Sequence, residues 1–149
     1  MTIQTSIQRK PVQTLDQKRA KWAWDETFAE RAKKDDKAFK AYTNLVKGSG
    51  AMIMQNGLMA TLAFYGQKAF SKKETNSADG GKEHQTLLLQ LCSKLISKPI
   101  TTKEEYAKFM SLLSQTSATD YRCLTEESLA LIRWLRHFAS ALNKEGDNK

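Results

Sequence analysis

The run from Ala51 to Tyr65, AMIMQNGLMATLAFY, constrains this chain more than any other stretch. Eleven of its fifteen residues are apolar, and Gln55, Asn56 and Gly57 interrupt the run near its middle. A membrane-spanning helix needs about 20 consecutive apolar residues, so this run is too short to span. Two consecutive buried helices joined by a tight corner fit both halves. Gly57 accepts a left-handed backbone at little steric cost and Asn56 tolerates one, so QNG reads as a helix C-cap. Every other segment is more polar and reads as a helix laid against this pair.

Upstream, Thr14 and Gln17 have capping-box spacing and open the first helix. Ala20, Ala23, Trp24, Thr27 and Arg31 recur at three- and four-residue intervals, which predicts a buried face with Trp24 near its centre. Arg31, near the helix end, is expected to snorkel or to find a carboxylate. Lys18, Lys21, Trp22, Asp25, Ala29 and Lys33 fall on the opposite face. Trp22 is therefore expected to point away from the core, packed under a neighbouring loop or contacting a partner. Asp36 is the expected N-cap of a second helix carrying Phe39, Tyr42 and Val46 on one side. Gly48-Ser49-Gly50 is expected to bend or restart it.

Beyond the central run, Ser71 to Gly81 is polar and ends in two glycines, a surface loop by composition. Leu87, Leu88, Leu91, Leu95 and Ile96 form an apolar stripe at helical spacing, closed by Lys98-Pro99. Thr102 and Glu105 repeat the capping box ahead of Tyr106, Phe109, Met110 and Leu113. The last helix is expected to begin near Thr125, with Glu126 and Glu127 at the positive end of its dipole. Leu131, Trp134, Leu135, Phe138 and Leu142 share one side of it. Arg133, Arg136, His137, Ser140, Asn143 and Lys144 share the other. No stretch alternates long enough for a convincing strand. The expected fold is all-α, a single compact bundle of about five to six helices. Residues 1–13 are expected to form a flexible arm, 14–144 one helical domain and 145–149 a disordered tail.

At 149 residues the chain is long enough for one core without a metal or a disulfide. Cys92 and Cys123 each sit alone in an apolar-periodic segment and read as buried free thiols of a reducing cytosol. The opening MTIQTSIQRKPVQ lacks the apolar core and cleavage site of a signal peptide, so a cytoplasmic location is expected. Formal charge is +8 and uneven: residues 1–74 carry 14 Lys/Arg against 7 Asp/Glu, residues 75–149 carry 10 against 9. Such a balance suits nucleic acid or an anionic surface, though charge alone supports either only weakly.

Catalytic constellations are missing. His84 and His137 have no His or Cys at ligand spacing, so no zinc site is expected. There is no phosphate-binding loop or dinucleotide glycine pattern, since Gly48-Ser49-Gly50 is followed by Ala and Met. The acidic pairs Glu104-Glu105 and Glu126-Glu127 sit at helix starts, where capping and the dipole account for them. A Cys123–His137 nucleophilic pair is disfavoured because the cysteine reads as buried. Neither enzymatic activity nor a cofactor is expected.

Three segments in order carry more than their pattern: the helix from Asp16 to Trp24 (DQKRAKWAW), the central MIMQNGLMATLAF, and the terminal YRCLTEESLALIRWLRHFASAL. Together they resemble the small subunit of type III-B CRISPR effector complexes, the Cmr-type small-subunit family, over roughly residues 14–142. Gly48-Ser49-Gly50 departs from the apolar residue and proline of that family's pattern. The resemblance implies an all-helical, non-catalytic subunit, monomeric when isolated. In the complex, copies stack as an inner filament beside the guide-bearing backbone subunits, in company with the large subunit, and help accommodate target RNA paired with guide RNA. Cleavage belongs to other subunits, and no membrane is involved. On this reading Lys18, Arg19, Lys21, Lys47, Arg133 and Arg136 are the candidate phosphate contacts, with Trp22 a candidate partner contact. Arg19 flanks the buried face, so packing or an intersubunit salt bridge is its alternative role. The competing function is a helical protein adaptor whose basic charge serves solubility or an acidic partner. A DNA-binding regulator fits less well, for want of a helix-turn-helix signature.

Overall fold

The computed structural model describes residues 12–71 and 82–143. Most of the expected arm, the expected loop beyond Ser71, Lys144 and the expected tail therefore lie outside the described residues. Six helices account for the fold, with no strand among the described residues: α1 (Leu15–Lys33), α2 (Asp36–Asn56), α3 (Leu58–Ala69), α4 (Lys82–Ile96), α5 (Lys103–Ser114) and α6 (Ala118–Leu142). None of them is long and apolar enough to cross a membrane.

Both capping boxes are formed. The Thr14 hydroxyl accepts from the Gln17 amide at 3.0 Å while the Thr14 amide donates to the Gln17 side chain at 2.8 Å. Thr102 and Glu105 do the same at the head of α5. The cap of α2 is Asp35, whose Oδ1 accepts from the Ala38 amide at 2.8 Å, rather than Asp36. Asp36 instead receives the Arg31 guanidinium, which also donates to the Leu142 and Lys34 carbonyls and lies over the Phe39 ring. The carboxylate sought by Arg31 is thus at the start of the next helix.

The corner at Gln55-Asn56-Gly57 is real: α2 ends at Asn56, Gly57 takes φ +94°, and α3 starts at Leu58. No side chain of its own caps α3. The Met59 amide, free in the first turn, donates to the Tyr121 hydroxyl of α6 at 2.9 Å.

Two helix boundaries differ from expectation. Gly48-Ser49-Gly50 neither bends nor restarts α2, which runs unbroken to the corner. Ser49 is buried, its Oγ donating to the Leu45 carbonyl and bonding the Tyr65 hydroxyl at 2.8 Å, so tertiary packing holds a stretch that glycine propensity would loosen. The last helix begins at Ala118, well before Thr125, because Ser117 caps it by accepting from the Asp120 amide. Cys123 falls in those added turns and is exposed, contrary to the expectation of burial; Cys92 is buried.

The core is continuous across the helices. Phe39, Tyr42 and Val46 of α2 meet Leu58, Leu62 and Tyr65 of α3, Leu87, Leu88 and Leu91 of α4, and Leu131 and Leu135 of α6, all almost fully buried. α2 packs against α6, α4 and α3, and α3 lies along α4, while α5 closes the α3–α4 end with Phe109 and Leu113. Helix α1 packs chiefly on α6. Its buried residues are Ala23, Thr27 and Glu30, small or polar rather than aromatic. This displaces both tryptophans from their expected places: Trp24 is 40% exposed at the α1–α6 seam, and Trp22 is half-buried and packed against the core. Ala23 and Thr27 permit close approach of the helices, which leaves no room for an indole at the centre of the face.

Candidate nucleic-acid interface

The α1–α6 seam is fastened by polar bonds of its side chains. The Arg19 guanidinium forms a forked pair with Glu127, its Nε lying 3.1 Å from both carboxylate oxygens. The Trp134 indole donates to Asp16 at 2.9 Å. The Glu127 bond raises the Arg19 pKa further above its already high ordinary value. Arg19 is thus engaged within the fold, in a salt bridge inside one chain rather than between subunits.

Across the same seam runs a row of five aromatic rings. Phe28 stacks on Trp24 at 5.6 Å, Trp24 meets Phe138 edge-on at 5.2 Å, Phe138 stacks on Trp134 at 5.5 Å, and Trp134 meets His137 edge-on at 5.8 Å. Phe28 is 57% exposed, and His137 is exposed at the other end. Cations flank both sides. On α1, Lys21 lies one turn before Trp24 and Lys18 a turn earlier, both exposed. On α6, Arg133 lies roughly 40° round the helix from His137, at about 100° per residue, with Arg136 beyond it. Both arginines are exposed, and neither they nor Lys18 make a hydrogen bond or ion pair among the described residues. Lys21 pairs with Asp25 at 2.8 Å, but both side chains are more than half exposed, and such a pair is worth about 0.3–0.5 kcal/mol. It remains available to a phosphate.

Of the six candidate cations, Lys21 on α1 and Arg133 on α6 lie beside the row, Lys18 lies about 120° round α1 from Trp24, and Arg136 lies about 160° round α6 from Trp134 and Phe138, on the other side of that helix. Lys47 is exposed on α2, and no bond among the described residues joins it to the row. Sequence reasoning misses the aromatic row because it assigns Trp24 to the core and Phe28 to no face. Their i, i+4 spacing is the signal that pairs them.

Trp22 does not point away from the core. It lines an open cleft of about 570 Å³ between α1 and α4, with Lys94 over its ring at 6.0 Å. Within the cleft Glu30 engages both Lys33 at 3.3 Å and Lys34 at 2.8 Å, and Lys34 also donates to Thr86. Deeper in, the Tyr42 hydroxyl donates to Gln90, whose amide donates to Glu26 at 3.4 Å. Burial raises the Glu26 pKa, and the Gln90 bond only partly opposes it.

Neither cysteine is set up as a nucleophile. Burial pushes the Cys92 thiol up to about 12. Cys123 is accessible, so burial no longer argues against a Cys123–His137 pair. The two residues share α6, however, and lie about 21 Å apart at 1.5 Å per residue, far beyond proton-transfer range. Among the described residues no three His, Cys, Asp or Glu groups cluster as for a metal ion.

The model of a protein family described as "CRISPR-associated protein (Cas_Cmr5)" matches residues 15–142. Among solved structures, the chain is similar to a CRISPR-associated Cmr5 family protein from Thermus thermophilus. The TM-score is 0.61 at 21% sequence identity, with 85% of this chain and 98% of that chain covered. A likeness at that identity supports the fold.

Proposed function

This chain belongs to the Cas_Cmr5 family of CRISPR-associated proteins, a small subunit of the Cmr complex, and from that premise we propose that it serves there as a non-catalytic, RNA-tracking subunit. Copies stack along the guide-bearing filament in the cytoplasm, and the exposed faces of α1 and α6 contact guide and target RNA through Lys18, Lys21, Arg133 and Arg136. Residues 14–144 act as one domain in this role. A partner reaches Trp22 only through the edge it leaves in the α1–α4 cleft.

The observation that carries this reading is the exposure of these four cations on α1 and α6, three of them unpaired among the described residues and the fourth in a weak surface pair. Phosphate tracking needs outward Lys and Arg and no base-reading motif. A few such contacts give a non-specific dissociation constant of about 10⁻⁴ to 10⁻⁶ M at physiological salt, and stacked copies on one strand multiply the contacts. The test replaces Lys18, Lys21, Arg133 and Arg136 together by Gln. RNA affinity of the assembled complex is then measured across a salt series, with helicity as the control. The expected result is weaker binding to all sequences alike, with a shallower salt slope. Unchanged affinity and slope in a folded, assembling variant would leave the protein-adaptor role as the better account.

A further inference from the structure

The aromatic row has a property that phosphate contact alone does not use. Its terminal rings, Phe28 and His137, each have a ring neighbour on one side only, Trp24 and Trp134 respectively. Both are exposed, so each offers a second face to solvent. The acids closest to the row are engaged, Asp16 by the Trp134 indole and Asp25 by Lys21, while Lys18, Arg133 and Arg136 are unpaired among the described residues. The surface is therefore a line of contacting rings, open at Phe28 and His137, with Lys21 beside its α1 end and Arg133 beside its α6 end. That pattern complements a nucleic-acid strand, whose flat bases alternate with phosphates. Bases inside a duplex are stacked on both sides and cannot use such a strip; unpaired bases can.

We propose that the row Phe28–Trp24–Phe138–Trp134–His137 is a stacking platform for the unpaired nucleotides of a single-stranded RNA. The strand's phosphates are held by Lys21 near one end of the row and Arg133 near the other. This rests on the reading of the α1–α6 face as an RNA contact and adds to it the strandedness of the RNA and the groups that recognise it. The end rings Phe28 and His137 receive bases directly. Trp24, Phe138 and Trp134 hold them in line across the seam.

The experiment uses the full chain at low salt with a labelled mixed-sequence oligoribonucleotide, single-stranded or annealed to its complement. The unmodified protein should bind the single strand more tightly, with quenching of tryptophan fluorescence. Phe28→Ala and His137→Ala should each lower single-strand affinity by roughly 5- to 150-fold, the loss of one base–aromatic stack, and leave duplex affinity within about twofold. Both side chains are largely exposed, so these variants should retain wild-type helicity. Trp24→Leu, which keeps apolar packing against Phe138, should reduce the quenching. If the charge variant weakens binding while the ring variants bind the single strand like the parent, the platform is wrong and the phosphate-tracking face survives. Loss of single-strand and duplex binding alike in the ring variants would also overturn it, as would ring variants that change only the oligomeric state. If neither RNA binds measurably better to the parent than to the charge variant, the RNA reading fails and takes the platform with it.

Discussion

Gly66 of α3 lies against the phenol of Tyr106 from α5, so close that a β-carbon on Gly66 would overlap the ring's Oη, Cζ and Cε2 atoms. The ring cannot swing aside freely, because its hydroxyl donates to the Leu62 carbonyl at 3.0 Å and it packs on Phe70 at 5.4 Å. The α3–α5 contact is built on the absence of a side chain.

Gly66→Ala should therefore destabilise the protein. Alanine gains up to about 1 kcal/mol of helix propensity over glycine, but overpacking a filled site costs about 1–3 kcal/mol, and here the overlap is with a tethered ring. The net loss should be about 1–2 kcal/mol, read as a lower urea midpoint at unchanged slope. A higher midpoint would mean that α5 moves away at little cost.

Arg19→Ala should separate stability from RNA contact. Hydrogen bonds to charged groups contribute about 1.5–3 kcal/mol, and the forked Arg19–Glu127 pair is partly shielded from water, so a loss of about 1–2 kcal/mol is expected in thermal or chemical unfolding. RNA affinity of the folded variant should stay near that of the parent. A variant as stable as the parent that binds RNA more weakly would reverse the assignment.

Trp24→Ala should cost about 1–2 kcal/mol, less than the roughly 3–5 kcal/mol of a fully buried tryptophan. Trp22→Ala, which opens a gap against the core, should cost at least as much. Paired denaturation curves decide it: a large loss for Trp24 with none for Trp22 would restore the buried face that the periodicity alone suggests.

These tryptophans show where the sequence is legible and where it is not. Capping boxes at Thr14 and Thr102 and the Gly57 corner are local chemistry, complete within a few residues, and the structure forms all three. The stripe Leu87, Leu88 and Leu91 is equally plain, because one face is uniformly apolar and fully buried. Helix α1 is different. It docks through Ala23, Thr27 and a salt-bridged Glu30, a face with little hydrophobic contrast, so periodicity gives the weight to the nearest large ring. The continuity of α2 through Ser49 depends on Tyr65, sixteen residues away, and no local rule reports it. The phosphate candidates are chosen from helix faces alone, whereas the aromatic row depends on which helix lies beside α1, a tertiary fact.

Glu26 should contribute a loss of stability as pH rises through the carboxyl range, opposite in sign to the contribution of Glu105, whose pKa is lowered by backbone hydrogen bonds from Thr101 and Thr102. The folded pKa of Glu26 is raised by burial above the ordinary 4.5, so between that value and the raised one the folded state holds more protons than the unfolded. The destabilisation is absent below the ordinary value and complete above the raised one. Glu26→Gln, which keeps an acceptor for Gln90, should remove this component and stabilise the protein at neutral pH. Chemical denaturation from about pH 4 to 8 should show the variant's advantage over the parent growing with pH; an unchanged profile would place the charged carboxylate in better solvation than its burial indicates.

The aromatic row joins the first described helix to the last, with rings from residues 24 and 28 interleaved against rings from 134, 137 and 138. During synthesis, α1 emerges with Trp24 and Phe28 unsupported, and more than a hundred further residues must follow before Phe138 can meet them. Neither half of the surface exists by itself, and its closure is among the longest-range contacts in the chain, the kind that forms late. A nascent or C-terminally clipped chain accordingly carries the α1 rings without their α6 partners, so the row is complete only when the last helix has docked.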